Sequence, residues 1–118
     1  MTTYRGSCHC GRVTFEARTD PFTRSVVCNC SLCRRRGAVM ATIADPETDF
    51  RLLTGEDAIG EYRFHTRTAR HYFCRYCGIY THHRPRSDPS MLRVNAACLE
   101  GVDPSALEPA LVDGRSLD

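Results

Sequence analysis

The chain has 118 residues, with sixteen arginines and no lysine against fourteen acids, for a formal charge of +2. That length predicts one domain over residues 1–118, with a modest core that gains from staples. No run approaches the roughly 18 apolar residues that span a membrane. The opening Met1-Thr2-Thr3-Tyr4-Arg5-Gly6 is polar, so the expected location is the cytoplasm, with no membrane partner.

Eight residues are cysteine, and seven of them sit in short clusters. In a reducing compartment such clusters read as metal ligands rather than disulfides. Neighbours in C-x-C bridge poorly to each other, yet both reach one tetrahedral ion. Zinc is therefore expected. Seven thiolates and two zinc ions would move the charge from +2 to about −1. A near-neutral holoprotein gives no electrostatic case for nucleic acid.

In chain order, Tyr4 to Arg12 reads as a turn carrying Cys8-His9-Cys10-Gly11. Val13 to Ala17 alternates with period two and predicts a strand, broken at Asp20-Pro21. Ser25 to Cys28 predicts a second strand that delivers Cys28-Asn29-Cys30-Ser31-Leu32-Cys33. Ser31 to Arg36 predicts one helical turn capped by Ser31. Ala38 to Ala44 predicts a buried strand. Phe50 to Leu53, Ile59 to His65, Arg70 to Phe73, Tyr80 to His83 and Met91 to Val94 continue the strand-turn rhythm. The tail after Asp103-Pro104 reads as irregular. No segment keeps a helical period, so the expected class is mainly β, as short antiparallel sheets stapled by zinc. Alternation places most of Tyr62, Phe64, Tyr72, Phe73, Tyr76 and Tyr80 in the core.

The outer pairs, Cys8/Cys10 and Cys74/Cys77, are each followed by a glycine, Gly11 and Gly78. Tight knuckles need a backbone of positive φ that aims amides at sulfur. Four thiolates leave zinc no open position, which marks a structural site. A metal shared across so long a loop also stabilises the chain most.

The inner triplet, Cys28, Cys30 and Cys33, offers only three sulfurs. Either His9, Cys98 or His71 completes a second structural site, or the fourth position is open, as in catalytic zinc. Zinc on three thiolates carries −1 and is a weak Lewis acid, so hydrolysis is disfavoured. A soft exogenous thiol, held as a nucleophile against a carbonyl carbon, suits it better. Arg34 and Arg35, and Arg36 after them, follow the last ligand. Guanidinium groups would hold the carboxylates of a peptide-like thiol such as glutathione, unless the run is a solvated face. His82 and His83 point to opposite faces of a strand, so at most one reaches any pocket. His71, His82 and His83 are the candidates for proton transfer. Cys98 reads as a small buried residue.

Gly6-Ser7-Cys8-His9-Cys10-Gly11, Cys28-Asn29-Cys30-Ser31-Leu32-Cys33-Arg34 and Phe73-Cys74-Arg75-Tyr76-Cys77-Gly78 together resemble the glutathione-dependent formaldehyde-activating enzymes, a domain shared with centromere protein V. The resemblance runs from about Tyr4 to Asp103. It implies a tent-like arrangement of sheets, a structural zinc on Cys8, Cys10, Cys74 and Cys77, and a catalytic zinc on Cys28, Cys30 and Cys33. It implies a carbon–sulfur lyase that joins glutathione to formaldehyde as S-hydroxymethylglutathione. The sequence departs at Ala97 and Cys98, where the family tends to have glycine and a hydroxyl residue. The expected function is thus a zinc enzyme acting on glutathione and a small aldehyde. The alternative is a zinc-stabilised scaffold without catalysis, since fold does not fix function.

Overall fold

Short alternating segments pair into two β-sheets in a computed structural model that describes residues 1–117. Strands β1 (Thr2–Ser7), β2 (Thr14–Thr19) and β5 (Phe50–Thr54) form the smaller sheet, in the order β1-β2-β5. The larger sheet holds β3 (Ser25–Cys28), β4 (Met40–Ile43), β6 (Ile59–Tyr62), β7 (Arg70–Cys74), β8 (Tyr80–Arg84), β9 (Leu92–Asn95) and β10 (Ala110–Val112). Its order is β10-β3-β4-β9-β8-β7-β6. Two four-residue helices, α1 (Pro21–Arg24) and α2 (Cys33–Arg36), flank β3. Neighbouring strands run antiparallel, except that β10 lies parallel to β3 with Val112 opposite Cys28.

The core lies between the sheets. Phe15 and Ala17 of β2 pack against Ala41 and Ile43 of β4 and Leu92 and Val94 of β9. Gly6 faces Phe15 across β1 and β2, and a Cβ there would stand 2.2 Å from the ring. The missing side chain is what lets the Phe15 ring lie across β1.

Strand alternation gives the larger sheet two unlike faces. Tyr72, His82, Val94 and Ala41 form one cross-strand row. In it the His82 ring stacks on Tyr72 at 4.6 Å and meets Phe50 at 5.2 Å. His71, His83 and Arg93 form the adjacent row on β7, β8 and β9, on the opposite face.

Burial, and to a lesser degree Arg84, holds His82 neutral and pulls its pKa down to about 4. The unfolded chain takes a proton on this ring near its ordinary value of 6.5, and the folded chain does so only near 4. Stability from this group is therefore complete above pH 6.5 and is lost as pH falls toward 4. The loss is up to about 1.4 kcal/mol per unit. Urea unfolding of wild type and His82→Phe at pH 7 and 5.5 is expected to give a drop about 1 kcal/mol larger in wild type. The difference between the two proteins cancels any acid effect on the cysteines.

Several sequence expectations change. The stretch from Tyr4 opens inside β1, because an edge strand exposed at half its positions lacks the apolar alternation that reveals strands. Asp20-Pro21 starts α1, the Asp20 carboxylate accepting from the Phe22 amide at 3.1 Å. Ser31 does not cap α2. Leu32 precedes that helix in helical conformation with no side-chain cap. β6 ends at Tyr62, since His65 and Arg67 turn to left-handed φ of 56° and 60°. The tail is not irregular throughout, for β10 joins the larger sheet. Most of the six aromatics are not core residues. Only Tyr80 is fully buried, while Tyr62 stacks on Phe64 at the β6 edge and Tyr76 sits beneath Arg12 on a knuckle. No helix among the described residues is long and apolar enough to cross a membrane.

Candidate metal centres

Cys8 and Cys10 leave the end of β1, and Cys74 and Cys77 leave the end of β7. The four Sγ atoms lie within 4.8 Å of one another. Cys8 to Cys10 and Cys10 to Cys74 are each 3.7 Å. Tetrahedral zinc with Zn–S bonds of about 2.3 Å places its sulfurs about 3.8 Å apart. The cluster fits such an ion in both donor type and spacing. Gly11 and Gly78 close the two knuckles at φ of 83° and 79°. The turns aim amides inward, and the Val13 N–H donates to Cys8 Sγ at 3.3 Å. Burial opposes ionisation of Cys77, but the N–H groups of Ile79 and Cys10 and the neighbouring thiols outweigh it and bring the thiol down to about 6. Cys8 and Cys74 are buried beside Val13 and Ala58, so these ligands are also part of a small core.

Cys28, Cys30 and Cys33 form the second cluster, their Sγ atoms again within 4.8 Å. Among the described residues no histidine, cysteine or carboxylate completes it. His9 belongs to the outer knuckle. Cys98 lies in the core and donates to the Tyr80 carbonyl at 3.6 Å. His71 lies on the wall of the neighbouring cavity without joining the triplet. The Cys33 N–H donates to Cys30 Sγ at 3.3 Å. Burial, then crowding by Cys30 and Cys28, pushes the Cys33 thiol far up, and burial also raises Cys28. Burial opposes ionisation of Cys30 too, but the Cys33 N–H and the neighbouring thiols outweigh it and lower that thiol. The first thiolate therefore forms there, and the other two ionise beside it only around a cation, which suits a thiophilic metal.

This triplet forms one wall of a cavity of about 70 Å³. His71, His83 and Arg93 supply the sheet side, and Phe64, His65 and Thr66 supply a rim loop. Among the described residues no acidic side chain lines it. Burial holds His71 near a pKa of 4 and His83 well below its ordinary value, so both rings are neutral at pH 7. The Tyr80 hydroxyl contacts His83 Nδ1 and lies 3.4 Å from His71 Nδ1. His83 Nε2 is buried without a partner among the described residues. His82 is on the other face of the sheet, as its neighbour's orientation demands.

Arg34 and Arg35 are exposed and do not line this cavity. Arg35 Nη1 donates to the Ser31 carbonyl at 2.7 Å. Arg36 lies over the Tyr80 ring at 4.0 Å. The sequence reading missed Arg93, which sits between the core residues Leu92 and Val94. One charged residue inside an apolar strand was the available signal.

It also missed the C-terminal strap. Asn29 sits between two ligands and fastens the tail to them. Its Nδ2 donates to Asp113 at 3.0 Å, its Oδ1 accepts from the Arg115 N–H at 2.9 Å, and its N–H donates to the Val112 carbonyl at 3.2 Å. Gly114 then presses on the triplet, where a Cβ would stand 2.6 Å from Cys28 Sγ. Gly114→Ala is expected to displace the strap and weaken metal at the triplet at least tenfold. A chelator titration that resolves two metal affinities checks this, because the outer site should hold its affinity.

Comparison with known proteins agrees with this geometry. The profile of the family described as glutathione-dependent formaldehyde-activating enzyme matches residues 3–112. A crystal structure of a Rhodobacter sphaeroides protein is similar, with a TM-score of 0.83 and 47% identity over 92% of this chain and 99% of that one. By this match, and by the two cysteine clusters that fall within it, the chain belongs to the glutathione-dependent formaldehyde-activating enzyme family.

Proposed function

We propose that the protein is a zinc-dependent carbon–sulfur lyase that joins glutathione to a small aldehyde, with S-hydroxymethylglutathione as the product from formaldehyde. The observation that carries this reading is a triplet of thiols, without a fourth protein donor among the described residues, on the wall of a partly open cavity. Zinc on Cys28, Cys30 and Cys33 would supply an open position that keeps a bound thiol ionised near neutral pH. The closed set Cys8, Cys10, Cys74 and Cys77 would hold a second, structural zinc.

The remaining steps belong to the chain's own side chains. A cavity of about 70 Å³ is well below the 300–1,000 Å³ of ordinary ligand pockets. It takes the sulfur end of the thiol and a small aldehyde, and the rest of the peptide lies outside. Arg34 and Arg35, exposed on the short helix that Cys33 begins, would hold its carboxylates there. Attack by sulfur on the carbonyl carbon leaves an alkoxide. His83 Nε2, neutral and unpartnered, is the group to hydrogen-bond that oxygen and hand it a proton, with Tyr80 behind it.

Thiols add to formaldehyde unaided, so catalysis is read as a rate. Exchange spectroscopy on ¹³C-formaldehyde and glutathione is expected to show adduct formation accelerated by the zinc-loaded protein. Cys30→Ser should lose at least 100-fold of that acceleration while keeping its far-UV circular dichroism. A wild type that accelerates addition to no small aldehyde would overturn the reading.

A further inference from the structure

The side chain that the reaction above does not use is Arg93. It is only 8% exposed, and its Nε has no hydrogen-bond partner among the described residues. No carboxylate among the described residues pairs with it, and none lines the cavity it faces. Across the sheet it stands directly opposite His83, whose Nε2 is also buried and unpartnered. Two adjacent donors, one always charged, therefore face the same cavity as the thiols.

A buried guanidinium is costly without a hydrogen-bonded anion, and although the Cys28 and Cys33 thiolates favour its charge, no hydrogen bond joins them to it among the described residues. Formaldehyde brings no charge. Resting on the thiol-addition reading, we infer that the cavity takes an aldehyde carrying its own carboxylate, a short 2-oxo acid, with Arg93 gripping the carboxylate. Size agrees, since about 70 Å³ admits a two-carbon acid but not a peptide. The chemistry balances without a redox partner. Sulfur forms a bond to the aldehyde carbon, the C=O π bond breaks, and the oxygen takes the proton that the thiol gave up. The product is a 2-hydroxy-2-thio acid. The carboxylate on Arg93 fixes which face of the aldehyde meets the sulfur and brings its oxygen toward His83.

Two arms test this on the zinc-loaded full chain. The first needs no turnover. Glycolate, an unreactive stand-in, is titrated against ethylene glycol, its uncharged counterpart, with NMR shifts of the histidine rings as readout. Wild type is expected to bind glycolate at least tenfold better than ethylene glycol. Arg93→Met should abolish that preference, and Arg93→Lys should restore part of it. Arg93→Met removes a buried charge, so it is expected to fold, with an unchanged melting temperature or a higher one.

The second arm compares rates for glyoxylate and acetaldehyde with glutathione and with 2-mercaptoethanol. The preference for glyoxylate should appear with both thiols and fall at least tenfold in Arg93→Met. If the Arg93 effect appears with glutathione for every aldehyde and vanishes with 2-mercaptoethanol, the carboxylate belongs to the thiol and the inference fails. If Arg93→Met loses metal and shows no carboxylate dependence, Arg93 is a counter-charge to the thiolates and the inference fails again. Glycolate binding without any thiol addition would keep the carboxylate site and discard the enzyme reading.

Discussion

Cys74→Ser is expected to leave a chain with no cooperative unfolding transition at room temperature, whereas Cys30→Ser should still fold. Both remove one sulfur from a metal set, so the contrast comes from where each cysteine sits. Cys74 is fully buried and shares a core cluster with Cys8, Val13 and Ala58. Through it the end of β7 is tied to the β1–β2 corner, and Cys10 and Cys74 are 64 residues apart. Structural zinc in small domains contributes about 10–16 kcal/mol of apparent binding energy. That is comparable with the whole stability of an ordinary domain, about 5–15 kcal/mol. Cys30 belongs to neither hydrophobic cluster and lies on the β3–β10 side of the larger sheet. Its loss should remove one zinc per chain and leave the sheets intact. Circular dichroism, thermal melting and zinc content on both variants check this. Equal damage in the two would mean that the clusters do not divide into structural and reactive sites.

Gly55→Ala is the second large effect, and it acts on the outer centre without touching a ligand. Gly55 has φ of 92°, and a Cβ there would stand 2.4 Å from the Arg12 carbonyl and 2.8 Å from Val13 Cα. These are backbone atoms of the first knuckle's exit, so no rotamer change relieves the overlap. Thr54 already fastens the two segments, its hydroxyl donating to the same Arg12 carbonyl at 3.0 Å. Left-handed backbone with a Cβ costs about 1–2 kcal/mol before any overlap is counted. The expected loss is about 3 kcal/mol or more, a drop of roughly 10 °C or more in melting temperature. Gly101→Ala is the control. Gly101 has φ of 80° and open space at its Cβ position, so it carries the backbone strain alone. Equal melting temperatures for the two variants would show that the Gly55 turn does not brace the knuckle.

The parts legible in the sequence are those whose cause is local. Cys8/Cys10 and Cys74/Cys77 announce knuckles because the glycines needed for the turns are adjacent to them. Strands β2, β3, β7, β8 and β9 announce themselves because each is a short run of strand-forming residues bounded by turn signals. β1 does not, because its exposed edge leaves Thr2, Thr3 and Arg5 in water. β10 does not, because three residues of tail gain order only by pairing with β3, far away in sequence. Arg93 was invisible for a similar reason. Its strand could be read, but the cavity face of the larger sheet exists only once β7, β8 and β9 align His71, His83 and Arg93. Arg34 and Arg35 drew attention by standing beside a ligand, yet the short helix turns both outward. Adjacency in sequence identifies metal ligands well, since one ion gathers what is close. It identifies a substrate cavity poorly, since the walls come from five separate segments.

The most direct test is zinc content per chain with zinc-edge X-ray absorption, before and after equilibration with millimolar glutathione. Two zincs are expected, one on four protein sulfurs throughout and the other on three, gaining a fourth sulfur when glutathione is added. Two zincs that are both closed by protein ligands and indifferent to glutathione, or a single zinc with the Cys28, Cys30 and Cys33 thiols free, would contradict an open thiol-binding centre.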